Sequence, residues 1–154
     1  MLGGSLVVMG QRLNTTILGF GALMLYANLA IAACPNPVNP NRTDPQVRAQ
    51  IVGTWYGENH NRQMGLTQYI YQTFLPTGVF DYRDQTCGSV PGISCSQNYG
   101  HGVWSGRRQS DGSIYIRVQF SDMNRQNECT GWAVSFPDKN TMAYPTGGGM
   151  RRVK

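Results

Sequence analysis

Beyond about residue 50 the chain alternates apolar and polar positions with period two, the pattern of half-buried strands. The clearest run is 113–121, where Ile114, Ile116, Val118 and Phe120 fall on one face and Tyr115, Arg117, Gln119 and Ser121 on the other. The same alternation predicts strands over 51–57, 65–75, 79–85, 102–107, 129–136 and 141–144. In the first, Ile51, Gly53 and Trp55 oppose Val52, Thr54 and Tyr56; in the second, Tyr69, Tyr71, Thr73 and Leu75 oppose Ile70, Gln72 and Phe74. Pro76 and Gly78 between aromatic runs predict a hairpin, and 137–140 a second turn. No long amphipathic helix is present in the pattern. About seven or eight short strands at spacings of roughly 8 to 12 residues imply a sandwich or a barrel. Closure removes exposed sheet edges, so the expected fold class is all-β, a small up-and-down antiparallel barrel over 51–146.

The segment before the strands reads differently. Arg12 precedes an apolar run from Thr16 to Ala32 that ends in small residues, the order of a charged, a hydrophobic and a cleavage region. The uninterrupted run falls short of the roughly 20 residues of a membrane span and contains Asn28. Residues 1–33 are therefore expected to be a signal peptide, with Met9 as a possible true start. Ala30-Ile31-Ala32 suits release of a soluble chain beginning at Ala33, whereas Ile31-Ala32-Ala33-Cys34 resembles a bacterial lipobox that would make Cys34 the lipidated first residue. The expected location is periplasmic or secreted, with a lipid-anchored envelope protein as the alternative.

Four cysteines bear on that choice, since an even number in an exported chain suggests two disulfides. Of the three pairings, Cys87 with Cys95 and Cys34 with Cys129 is favoured, because the first closes a short loop rich in glycine and proline. A lipidated Cys34 would strand one thiol. No Cys-x-x-Cys spacing is present, so a thiolate metal site is not expected.

Between leader and strands, four prolines interleaved with asparagine over 35–46 forbid a helix and predict an extended linker across 34–50. Asp44-Pro45 resembles an N-cap followed by proline at the first helical position, which predicts one helical turn entering Ile51. The glycine-rich basic end, 147–154, is expected to be disordered.

Charge and composition narrow the function without naming it. Charged residues make up only 14% of the chain against a usual share near 25%. The net charge is +5, but the positive residues are scattered apart from Arg107-Arg108 and Arg151-Arg152, which argues against nucleic-acid binding. The two histidines, His60 and His101, sit in polar or glycine-rich stretches and read as exposed loop residues. Asp81 and Arg83 share a strand face and read as a surface ion pair. No nucleophile elbow, phosphate-binding loop or zinc-protease helix is present, so neither an enzyme nor a cofactor is expected.

Gly53-Thr54-Trp55, entering the first strand after a helical turn, resembles the opening of lipocalins and the wider calycin group. That resemblance implies an up-and-down barrel with a ligand-holding interior, a structural role for Gly53 and Trp55, and an arginine from the end of the last strand packed across the tryptophan. Arg151 and Arg152 are the late candidates. The aromatics Tyr56, Tyr69, Tyr71, Phe80, Tyr82, Trp104, Tyr115 and Trp132 are then the expected lining for a small hydrophobic ligand, with plain core packing as the rival reading. The chain length is closer to the small barrel inhibitors of secreted bacterial metalloproteases. The alternative function is therefore a protein-interaction module using the arm at 35–46 and the loop between Cys87 and Cys95.

Overall fold

The computed structural model describes residues 32–34, 36–88, 94–122 and 128–153. The signal-peptide reading falls almost wholly outside them, as does most of the loop between Cys87 and Cys95. In chain order the elements are β1 (Ala32–Ala33), a 3₁₀ turn (Pro40–Arg42), α1 (Pro45–Ile51), β2 (Gly53–Asn61), β3 (Leu66–Phe74), β4 (Val79–Gly88), β5 (Ser96–Arg108), β6 (Ile114–Phe120), β7 (Glu128–Asp138), β8 (Thr141–Ala143) and β9 (Gly149–Val153). Strands β2 to β9 form a closed eight-stranded antiparallel barrel: each pairs with the next from β2 to β8, β8 pairs with β9, and β9 returns to β2. β1 adds two residues to the start of β7, with Ala32 opposite Cys129.

One end of the interior is filled by side chains. Trp55, Phe74, Phe80, Trp104, Ile116, Val118, Val134 and Met142 are fully buried there, with Val47 and Ile51 of α1 pressed in from below. Gly106 lets that helix approach, since a Cβ on it would stand 2.9 Å from Val47 Cγ1. The helix forms where proline permits it, for Asp44 caps it by accepting from the N–H groups of Gln46 (2.7 Å) and Val47 (3.2 Å). It runs through Ile51, so the first barrel strand begins two residues later than the alternation suggests.

Residues 149–153 are not disordered. Gly149–Val153 is a strand, and Thr54, Trp55 and Tyr56 pair with Val153, Arg152 and Arg151. Polar alternation over so few residues gives no apolar face to read, yet the unpaired edge of β2 supplies a row of hydrogen bonds that holds it. Arg152 lies 4.3 Å over the Trp55 ring and donates to the carbonyls of Gln50 (2.7 Å) and Val52. Gly53, at φ +140°, sits where a Cβ would collide with that guanidinium. β5 is likewise longer than expected, because its first half, Ser96 to His101, is polar and carries no apolar period.

The arm does not reach outward. The Asn36 carbonyl accepts from Arg117 (3.1 Å), the Val38 N–H donates to Gln119 Oε1 (2.9 Å), and Thr43 Oγ1 accepts from the Gly106 N–H (3.2 Å). Val38 and Thr43 are buried against the barrel wall. Both favoured disulfides are present, Cys34–Cys129 and Cys87–Cys95, consistent with an oxidising compartment.

Candidate functional site

The expected ligand-lining aromatics divide between two faces of one wall. Phe80, Tyr82, Trp104 and Trp132 share the inward face with Trp55, and Phe80 and Trp104 are consumed by the packed core. Tyr56, Tyr69, Tyr71 and Tyr115 are out of phase with those residues and stand on the outside. The eight residues do not form one site. The reason is the strand period itself: with Trp55 inward, Tyr56 faces outward, and register carries Tyr71 and Arg83 with it.

Across β2 to β5 the outer face is built of cross-strand rows. One row is Thr54, Thr73, Asp81 and His101; the next is Tyr56, Tyr71, Arg83 and Tyr99, extended by Arg151 on β9. Arg151 lies 5.2 Å over the Tyr56 ring, the Tyr56 and Tyr71 ring centres are 4.9 Å apart at a tilt of 48°, and Arg83 lies 4.5 Å over Tyr71. Such contacts are worth about 0.5 to 1 kcal/mol each at an exposed site, set against the rotamer freedom that an ordered arginine gives up. Tyr99 closes the row and is 63% exposed, the most open large aromatic among the described residues.

These two rows border an open groove of about 480 Å³, lined by Thr54, Tyr71, Thr73, Arg83, Tyr99 and His101 together with Asp81 and Asp122. His101 Nδ1 is 2.6 Å from Asp81 Oδ1, and the His101 N–H donates to Asp122 Oδ2 (3.3 Å). An ionised carboxylate only accepts, so Nδ1 is the donor in this contact. Thr54 and Thr73 hydroxyls are 3.1 Å apart. Arg83 makes no ion pair with the described residues; Asp81 binds His101 instead, which replaces the expected Asp81–Arg83 pair. Both histidines are in strands, β2 and β5, although their side chains are 58% and 59% exposed as a loop position would be. Tyr99 and His101 were legible as outward positions only once β5 was extended through Ser96 to His101, whereas Arg83 already shared a surface face with Asp81 in the alternation.

Further along the face, Glu58 accepts from the Tyr56 hydroxyl and pairs with His60 at 3.3 Å. The Tyr56 bond, with His60 and Arg151 adding to it, holds the Glu58 carboxyl below its ordinary value. Burial first, then the bond to Glu58, pushes the Tyr56 phenol up to about 12. A lowered carboxyl contributes stability that is present above its unfolded pKa, near 4.5, and is lost as pH falls through the folded value. A raised phenol contributes below its unfolded value near 10 and loses that as pH rises toward about 12. Glu58→Gln should therefore lose less urea resistance than wild type between about pH 5 and pH 3, and Tyr56→Phe less above about pH 10. Parallel pH profiles for variant and wild type would show that the pair contributes nothing.

Among the described residues no group of three or more His, Cys, Asp or Glu side chains is arranged to hold a metal ion. No protein-family model, curated protein or solved structure matches the chain. The fold and the groove therefore define it only as a small disulfide-bonded β-barrel with a tyrosine, arginine and histidine surface on one wall.

Proposed function

We propose that the protein is an exported, non-enzymatic barrel, lipocalin-like in build, that acts by binding a partner on the outer wall of β2 to β5. The observation that carries this reading is the groove: its aromatic, cationic and carboxylate side chains converge on the outside, while the aromatics of the interior are spent on packing. Exposed Tyr and Arg are the side chains that most often dominate binding energy. The lipocalin-like description is supported by Arg152 over Trp55, the contact that the Gly53-Thr54-Trp55 resemblance implies. Export is supported by the two disulfides and the leader pattern. The arm reading is weakened by its contacts to its own barrel.

The test places a photoreactive amino acid at Tyr99, and separately at Ser135, an exposed position on β7. Irradiated in the native host, the Tyr99 chain should gain an adduct that the Ser135 chain lacks. Equal labelling from both positions, or none from either, would remove the proposal.

A second reading, a small molecule held inside the barrel, is favoured by two buried polar atoms, Gln72 Oε1 and Trp132 Nε1, that have no partner among the described residues. Their inward neighbours toward the other end include Asp84, which accepts from Tyr82 (2.5 Å) and Asn98 (3.0 Å). A ligand there would have to be polar, offering both a donor and an acceptor, instead of hydrophobic. Native mass spectrometry of protein taken from its host should then show a small adduct in wild type that Trp132→Phe loses.

A further inference from the structure

The chemistry of the groove narrows the partner, and this narrowing rests on the outer-wall reading above. We infer that the groove takes an uncharged oligosaccharide. Its formal charges come close to cancelling: Arg83 lines the groove together with Asp81 and Asp122, with the His101 side chain on the first and its backbone N–H on the second. Two carboxylates in so small a groove repel an anionic chain, and a simple cation would find Arg83 beside it. An apolar ligand would have to cover these ionised groups without replacing their water, which is costly. A sugar meets the same lining on different terms. Each hydroxyl both donates and accepts, so it can accept from Arg83 and donate to Asp81, Asp122 or the two threonines. The C–H face of a pyranose ring is apolar and flat, and Tyr99, open to solvent at the groove edge, offers a ring of matching shape.

Size favours a sugar over a protein surface. A stable protein interface covers roughly 800 Å² on each partner, whereas clefts of about 300 to 1,000 Å³ are the range for small ligands. The groove, at about 480 Å³, belongs to the second class. Neighbours within each row are spaced by the strands at roughly 4.8 Å, so polar and aromatic contacts recur along a line across the sheet. An extended sugar chain can follow that line beyond the groove toward Arg151.

The experiment is a titration of ¹⁵N-labelled protein with cellohexaose, maltohexaose, N-acetylchitohexaose and, as the charged comparison, a galacturonate hexamer. At least one neutral hexamer should move the amide signals of Thr73, Arg83, Gly100 and His101 saturably, with the galacturonate binding more weakly than that neutral chain. Tyr99→Ala, at an exposed site and so expected to fold, should weaken the neutral chain about tenfold or more. Asp81→Asn, which keeps the shape of the side chain, should weaken it too. No saturable shift with any neutral hexamer, unchanged affinity in Tyr99→Ala, or tighter binding of the galacturonate would overturn the sugar assignment. If that happens while the photoreactive Tyr99 chain traps a protein, the outer-wall reading stands and only the sugar falls. If neither sugar nor adduct is found, both fall.

Discussion

A chain that stops at Gly148 should not give a cooperative unfolding transition. It lacks β9, and with it the pairings of Thr54, Trp55 and Tyr56 on one side and of Thr141, Met142 and Ala143 on the other. β2 and β8 become open edges, and Met150, almost fully buried, no longer fills its place beside Gly57. Arg152 goes as well, uncovering the Trp55 ring and leaving the Gln50 and Val52 carbonyls without their donor. A domain of this size has a net stability of only about 5 to 15 kcal/mol, so losing a barrel stave and the cap of its core exceeds what the rest can hold. Circular dichroism melts would show a broad slope in place of a transition, with binding of a hydrophobic dye at room temperature. The single change Arg152→Ala isolates the cap and should cost about 2 to 3 kcal/mol. A truncated chain that melts as wild type does would mean that β9 is dispensable and the barrel is closed by other means.

The second large effect concerns the two disulfides, which should differ in weight. Cys34–Cys129 ties residues 95 positions apart, Cys87–Cys95 residues 8 apart. Constraint of the unfolded chain grows with loop length, to about 4.7 kcal/mol for a loop near 100 residues against roughly 2 to 3 for a short one. Replacing Cys34 and Cys129 together by serine also loosens the arm, leaving Val38 and Thr43 held to the wall by the bonds to Gln119 and Gly106. The melting temperature of this double variant should fall further than that of Cys87→Ser with Cys95→Ser. Equal losses, or a larger loss from the short bridge, would contradict the chain-entropy account.

Much of this fold was legible in the alternation because its buried faces are made of residues that cannot be mistaken. Ile114, Ile116, Val118 and Phe120 admit one orientation, and all four are buried. The helical turn was legible in Asp44-Pro45, and the disulfide pairing followed from a loop that needs a clamp. What escaped was polar strand. Ser96 to His101 and Gly149 to Val153 hold their places by pairing with a neighbour already in the sheet, and nothing in their own composition advertises it. The site was harder because aromatic residues occupy both faces of β3: Tyr69 and Tyr71 outside, Phe74 inside. Grouping the aromatics by type mixed the two walls. Grouping them by distance from Trp55 in steps of two separates Tyr56 from it, and the hairpin register then moves Tyr71 to the outside as well.

The return of β9 to β2 also sets the order of events when the chain is made. Arg152 donates to carbonyls 100 and 102 positions earlier, and Trp55 waits for that contact with its face uncovered. Every strand between can pair with the one before it as it emerges, but the ring stays a curled ribbon until the last stave arrives. Contacts of such long range form slowly. Until residues 149–153 arrive, β2 and β8 are unpaired edges, each a row of backbone donors and acceptors that a second copy of the chain could pair with in place of β9.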